Sequence, residues 1–144
     1  MNILVAVDLS EASRNIIDSV ADVAFAMSAK VYVLHVAEPE PDFVGYDIGP
    51  DVVRKQVAEE LHREHSEVQS LSASLTSRGI DSTALLIQGP TVEVTLKEAD
   101  KLQSNVIVVG SHGHGAVYDI LVGSYSAEII RNSKVPVLVI PRVK

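Results

Sequence analysis

The sequence contains no cysteine, and positive charge is scarce, with 12 lysines and arginines against 19 aspartates and glutamates. The absence of thiols excludes a disulfide framework and any thiolate-bound zinc or iron–sulfur site. The formal net charge of −7 argues against a broad basic surface for nucleic acid or anionic lipid, although it leaves room for a local anion pocket. We therefore expect neither nucleic acid nor membrane as a partner.

The chain also lacks a long apolar run, since none approaches the roughly 20 residues needed to span a bilayer. Its beginning, MNILVAVDLS, has no basic region followed by an apolar stretch and a cleavage site, so no signal peptide is expected. A length of 144 residues with 47% hydrophobic and 22% charged residues is typical of one globular domain. The expectation is a cytoplasmic protein with a single domain over residues 1–144.

Five short apolar runs alternate with longer amphipathic stretches. The runs cover residues 2–7, 30–36, 82–88, 105–109 and 135–140. The first, second and fourth are nearly continuous in valine, isoleucine, leucine and alanine, which is typical of strands buried on both faces of a parallel sheet. The alternation predicts a single α/β domain whose parallel sheet carries helices on both faces.

Apolar residues at three- and four-residue spacing predict four helices between these strands. The first begins after Ser10 as a candidate N-cap, and the second runs from about residue 51 to 77. Gly79 is placed to end the second helix in a left-handed conformation. The third follows Thr91, and the fourth spans about residues 124–132. Residues 38–50 form the one loop-like insertion.

Four of the eight glycines lie between residues 110 and 123, directly after the fourth strand. Open α/β sheets bind ligands beyond the carboxyl ends of their strands, where the winding direction reverses. Glycines there let backbone N–H groups approach an anion, and a helix N-terminus adds unpaired donors. Ser124 and Ser126 place hydroxyl groups at the start of the last helix. The segment therefore predicts an anion site better than a simple turn.

Two known phosphate motifs do not match this segment. A P-loop requires Lys-Ser/Thr where Ala116 and Val117 stand, and a dinucleotide fingerprint requires a third glycine at Tyr118. Residues 105–130 contain no lysine or arginine, so binding would rest on backbone donors, hydroxyls and a divalent metal such as Mg²⁺ held by the phosphates. This favours holding a nucleotide over rapid phosphoryl transfer.

The spacing Gly110-x2-Gly113-x9-Gly123-Ser124 is similar to the glycine motif of the ATP-binding universal stress proteins. The resemblance extends over nearly the whole chain, including VDLS at residues 7–10, LHV at 34–36 and PVLVI at 136–140. It implies a Rossmann-like fold of the adenine nucleotide alpha hydrolase type, with strand order 3-2-1-4-5. It also implies a stress-response role and an adenine nucleotide, ATP or AMP, bound between strands 1 and 4.

The resemblance assigns roles to named residues. Asp8 and Val36 correspond to the base-side pocket, and Gly89 to a small residue that lets the base approach. The residues corresponding to the ribose and phosphate loop are Gly110, Ser111, His112 and Gly113. Those corresponding to the phosphate-receiving turn are Gly123, Ser124, Tyr125 and Ser126. His114 and Tyr125 are bulkier than the family pattern, which leaves the phosphate geometry and nucleotide preference open.

Several interpretations compete at this point. Asp8 is placed either to cap the first helix or to contact a ligand, and His112 with His114 is better explained by ligand or solvent contacts than by a protein metal site. His35 is interpreted as a satisfied core or rim residue. No nucleophile–base–acid set is evident, so no catalytic residue is predicted and ATP hydrolysis should be slow at most.

Residues 135–140 form an edge strand in the implied order, and an apolar edge invites pairing with another chain. The resemblance implies a homodimer built on this edge. The leading hypothesis is a dimeric protein that senses or sequesters an adenine nucleotide. The alternative is a ligand-independent interaction module that acts through the dimer surface and the 38–50 loop.

Overall fold

The computed structural model describes residues 1–39, 50–111 and 123–142. The elements are β1 (Asn2–Ala6), α1 (Ala12–Met27), β2 (Lys30–Ala37), α2 (Pro50–Thr76), β3 (Ser82–Gln88), α3 (Thr91–Lys101), β4 (Val106–Gly110), α4 (Ser124–Asn132) and β5 (Val137–Ile140). These nine elements of the described ranges are those predicted from the apolar periodicity. Most of the predicted 38–50 loop lies outside the described residues.

The five strands form one parallel sheet in the order β3-β2-β1-β4-β5. Ile3 of β1 pairs with Val31 of β2 on one side and with Val106 of β4 on the other. The chain therefore winds from β1 in one direction to β2 and β3, and then crosses back to β4 and β5. The predicted strand order is confirmed.

Alternate residues of the central strands feed two separate cores. Ile3 and Val5 pack into a cluster under α1 and α2, whereas Leu4 packs into a cluster under α3 and α4. All three side chains are at most 1% exposed, which explains why β1 reads as a continuous apolar run. No helix in the described part of the chain is long and apolar enough to cross a membrane.

The start of α1 differs from the sequence prediction. Helix α1 begins at Ala12, with Glu11 at the N-cap position, so Ser10 is not the cap. The reason lies in the preceding turn, where the Ser10 N–H donates to Asp8 Oδ1 at 2.9 Å and Leu9 adopts a positive φ of 61°. The Asp8 side chain thus folds the turn before the helix begins.

The end of α2 matches the prediction. The helix ends at Thr76, and Gly79 follows with a φ of +81°. The Ile80 N–H then donates to the Leu75 carbonyl at 3.1 Å and closes the turn. Glycine meets the left-handed conformation that this closure requires.

We expect Gly79→Ala to lower the free energy of unfolding by about 1–2 kcal/mol, because alanine is strained at positive φ. A Cβ at Gly79 would have no heavy atom within 4 Å, so the loss reports backbone strain rather than a clash. Urea unfolding monitored by circular dichroism measures the change. Gly79→Asn is the control and should lose less, because asparagine tolerates this conformation better. Equal stability of the alanine variant and the wild type would contradict the interpretation.

Candidate functional site

A crevice opens at the carboxyl ends of β1 and β4, the neighbouring strands at which the winding direction reverses. It contains a cavity of about 200 Å³. Five of the predicted site residues line this cavity, namely Asp8, Val36, Gly110, Tyr125 and Ser126. The structure therefore brings together residues from four separate segments of the chain.

A second, larger cavity of about 580 Å³ extends from this crevice towards α2. Asp8, His35, Val36 and Thr91 line both cavities, so the two are adjacent. Ligand pockets commonly measure about 300–1,000 Å³. The smaller cavity alone is below this range, and the larger cavity lies within it.

The two carboxylate oxygens of Asp8 have different surroundings. Oδ1 accepts from the Ser10 N–H at 2.9 Å, with the Ser13 hydroxyl at 3.5 Å. Oδ2 is buried and has no hydrogen-bond partner among the described residues. A buried acceptor without a donor costs about 1–3 kcal/mol. One oxygen of Asp8 therefore shapes the turn before α1, and the other is left without a donor in a residue that lines the cavity.

The wall beside Asp8 is apolar. Val36 is 8% exposed and packs with Leu34 in the core under α3 and α4. Val36 and Leu34 both line the smaller cavity. This side of the crevice can accept the face of a planar apolar ring, and Asp8 supplies an acceptor at its edge.

Hydrogen bonds hold the first turn of α4 against the end of β4. The Gly123 N–H donates to the Ser111 carbonyl at 2.7 Å, and the Ser126 hydroxyl donates to the Gly110 carbonyl at 2.6 Å. The Ser124 side chain is exposed. The backbone N–H groups of the first helical turn have no acceptor within the helix. The start of α4 therefore has backbone donors that are not used within the helix, and their predicted contact with phosphates stays a prediction.

The two serines predicted to act together are placed differently. The Ser126 hydroxyl already uses its one hydrogen on Gly110, and the residue is 3% exposed. Its backbone N–H is the donor that it can offer to a ligand. Ser124, being exposed, presents its hydroxyl at the helix start. The sequence did not distinguish these two positions, because both lie at the same helix end.

Ser111 follows β4 and connects it to the end of β5. Its N–H donates to the Ile140 carbonyl at 2.9 Å, and its hydroxyl accepts from the Arg142 N–H at 3.1 Å. The residue is 6% exposed. Its predicted contact with a ribose or phosphate stays a prediction, as do those of His112 and Gly113, which lie outside the described residues with His114.

Gly89 lies at the end of β3, outside the lining of both cavities. It has a φ of +150°, and a Cβ at this position would come within 2.8 Å of Val94 Cγ2. Packing against α3 is thus sufficient to require glycine here. Its predicted role in admitting a base stays a prediction.

His35 has a hydrogen-bond partner at Nδ1 and an acidic neighbour at Nε2, in keeping with its interpretation as a rim residue. Its Nδ1 lies 2.8 Å from the Val7 carbonyl oxygen, which can only accept, so Nδ1 carries a hydrogen. Its Nε2 lies 3.4 Å from Glu64 Oε2 on α2. Sequence reasoning missed Glu64, because its position depends on how α2 is set against β2. In the described ranges, no group of three or more histidine, aspartate or glutamate side chains is arranged to hold a metal ion.

Tyr125 connects α4 to α3. Its hydroxyl lies 2.7 Å from Thr95 Oγ1, and its ring packs in the core under these helices. Burial of the phenol raises the pKa of Tyr125 to about 12.

The raised pKa of Tyr125 predicts a loss of stability in alkaline solution. The folded state favours the neutral phenol, so its contribution is complete below pH 10 and is lost as the pH rises towards 12. Between pH 9 and 11 we expect the free energy of unfolding to fall by about 1 kcal/mol more in the wild type than in Tyr125→Phe, because one unit of pKa shift corresponds to about 1.4 kcal/mol. Urea unfolding of both proteins at pH 9, 10 and 11 measures the difference. Parallel pH profiles would contradict the prediction.

The strand order and the crevice at the β1–β4 switch point define a Rossmann-like α/β protein. A model of the universal stress protein family matches residues 1–141, and the chain belongs to that family. It is 32% identical over 143 residues to universal stress protein A homolog 1 of Coxiella burnetii, covering 96% of this chain and 94% of that protein. It is 29% identical over 139 residues to a universal stress protein of Thermus aquaticus, covering 96% of each.

Solved structures share the fold at lower identity. The universal stress protein UspA from Lactobacillus plantarum has a TM-score of 0.82 at 18% identity, covering 97% of each chain. A universal stress protein in complex with cAMP has a TM-score of 0.73 at 20% identity, covering 98% of this chain and 96% of that one. The universal stress protein from Archaeoglobus fulgidus in complex with dAMP has a TM-score of 0.64 at 20% identity, covering 96% of each.

Proposed function

We propose that this protein binds an adenine nucleotide, ATP or AMP, in the crevice between β1 and β4. The observation that carries the proposal is Asp8 Oδ2, a buried acceptor without a donor beside the apolar wall of Val36. An adenine ring supplies an apolar face to such a wall and an amino group to such an acceptor. The base would thus satisfy an oxygen that the described residues leave unpaired.

The phosphates would lie at the start of α4. Its first-turn N–H groups and the exposed Ser124 hydroxyl are donors, and the helix dipole favours negative charge there. With no lysine or arginine in residues 105–130, Mg²⁺ bound to the phosphates would offset part of their charge. Because the chain offers no cationic clamp in this segment, we expect hydrolysis of ATP to be slow at most.

The cAMP and dAMP complexes support the proposal, since two proteins with this fold hold adenine nucleotides. The physiological role that we propose is sensing or sequestering the nucleotide in the cytoplasm during stress. The choice between ATP and AMP then determines whether the protein responds to energy supply or to its depletion.

The direct test is to identify what the protein carries. Freshly purified protein is heat-denatured, and the supernatant is examined by chromatography and mass spectrometry. In a separate sample, folded protein from which any bound nucleotide has been removed is titrated with ATP, AMP and GTP, with and without Mg²⁺, by isothermal calorimetry. Adenine nucleotide in the supernatant, or binding that prefers adenine to guanine, supports the proposal. Protein that carries nothing and binds none of the three would overturn it and favour the ligand-independent interaction module.

We also propose that the protein is a homodimer through residues 135–140. Among the described residues, β5 pairs with β4 alone, and Val137, Leu138 and Val139 are only half-buried at this edge. An exposed apolar edge strand pairs readily with a second chain. Analytical ultracentrifugation of the wild type and of Leu138→Lys tests the proposal. We expect a dimer that the lysine variant dissociates, and a monomeric wild type would contradict it.

A further inference from the structure

The position of the first turn of α4 is set from two directions. From β4 it is held by the bonds of Gly123 to Ser111 and of Ser126 to Gly110. From α3 it is held by the contact between Tyr125 and Thr95. The second attachment comes from a different helix, and it involves the hydroxyl of a largely buried tyrosine.

The hydrogens in this second attachment have a fixed direction. Thr95 Oγ1 lies 2.8 Å from the Thr91 carbonyl oxygen, which can only accept, so the single hydroxyl hydrogen of Thr95 is used there. Tyr125 must therefore donate its own hydrogen to Thr95 Oγ1, at 2.7 Å. Thr95 is 0% exposed, so water does not compete for it. The phenol, the threonine hydroxyl and the carbonyl form one directed chain.

This series of hydrogen bonds joins the first turns of two helices whose N-termini face the same crevice. Thr91 is the first residue of α3, and Tyr125 is the second residue of α4. Both line the smaller cavity. Any movement of the α4 turn away from α3 would break the Tyr125–Thr95 bond and leave two buried hydroxyl groups poorly paired.

We propose that Tyr125 is a positioning residue for the phosphates of the ligand, and that it acts through Thr95. The inference rests on the proposed function, because it assigns the first turn of α4 to the phosphates. By fixing the α4 donors relative to α3, the phenol favours a phosphorylated nucleoside over the free nucleoside. The ring itself forms part of the cavity wall and stays in place when only the hydroxyl is removed.

The test compares AMP with adenosine in Tyr125→Phe. Affinities are measured by displacement of a fluorescent adenine nucleotide, so that weak ligands are also quantified. We expect the dissociation constant of AMP to rise about three- to tenfold, the effect of one hydrogen bond, and that of adenosine to change less than about twofold. Thr95→Ser keeps the acceptor and should retain the wild-type ratio of the two affinities. Thr95→Val removes the acceptor and should shift the ratio as Tyr125→Phe does. The double variant Tyr125→Phe/Thr95→Val should show little further change beyond either single variant.

Three results would count against the inference. An unchanged ratio in both Tyr125→Phe and Thr95→Val overturns the positioning role while leaving the proposed function in place. Equal losses for AMP and adenosine overturn it as well, because they indicate a general change of the cavity. Wild-type protein that binds neither ligand overturns the proposed function and the inference together. If Tyr125→Phe does not fold, the comparison of Thr95→Ser with Thr95→Val decides the same question.

Discussion

Gly123→Val is expected to weaken the binding of ATP and AMP by about 100-fold while leaving the fold intact. Gly123 has φ −66° and ψ 161°, an extended conformation that valine adopts without strain. The backbone conformation therefore does not require glycine at this position. Under the proposed function, the close approach of the phosphates to the first turn of α4 requires glycine instead, because a branched side chain would add bulk beside the donors. Losing one or two hydrogen bonds to a charged group accounts for a loss of this size.

The measurement is isothermal calorimetry with stripped protein, accompanied by thermal unfolding. Valine is a poorer N-cap residue than glycine, so a fall in Tm of up to about 4 °C is expected from that cause alone. Gly79→Ala is the matched control, since it destabilises the protein at the end of α2, remote from the crevice, and should bind nucleotide as the wild type does. If Gly123→Val retains its affinity within about threefold, the proposal that the phosphates lie at this turn is contradicted.

Asp8→Asn should change which base the protein prefers. The asparagine side-chain oxygen can replace Oδ1 and keep the bond to the Ser10 N–H, while its NH₂ group takes the place of the unpaired Oδ2. An acceptor in the cavity thereby becomes a donor. We expect AMP to bind about 10- to 100-fold more weakly, because a charged acceptor is lost. Inosine monophosphate presents an oxygen where adenine has its amino group, so its affinity should rise relative to that of AMP.

The informative quantity is the ratio of the AMP and inosine monophosphate affinities, which a general loss of stability would not alter. Asp22→Asn removes the same charge from an exposed position on α1 and is the control. Unfolding of Asp8→Asn without ligand should require about as much urea as the wild type, because the bond to the Ser10 N–H is kept and one unpaired buried polar group replaces another. An unchanged ratio would show that Asp8 serves only the turn before α1.

The fold was predictable because a strand buried on both faces has a nearly continuous run of apolar residues in the sequence. The run at residues 2–7 is apolar at every position except its first, since Leu4 faces one core and Ile3 and Val5 face the other. Glycine at position 79 likewise indicated the left-handed residue after α2. In both cases the signal is local. The order of the strands came instead from the family resemblance.

The contacts within the site were not predictable in the same way. Tyr125 and Thr95 are 30 residues apart, and Glu64 meets His35 only because α2 crosses over β2 at a particular register. No pattern in the chain encodes such a register. The N-cap prediction at Ser10 failed for a related reason, because the Asp8 carboxylate captured the Ser10 N–H and moved the start of the helix.

Ser111 forms hydrogen bonds to two parts of the molecule, the start of α4 and the end of β5. Its carbonyl accepts from Gly123 at the start of α4, its N–H donates to Ile140, and its hydroxyl accepts from Arg142 beyond β5. A shift of this one residue therefore changes hydrogen bonds at the start of α4 and at the edge strand together. Linkage is reciprocal. If occupancy of the crevice changes the tendency of two edge strands to pair, then pairing changes the affinity for the ligand by the same factor, and protein concentration becomes a variable in every binding curve.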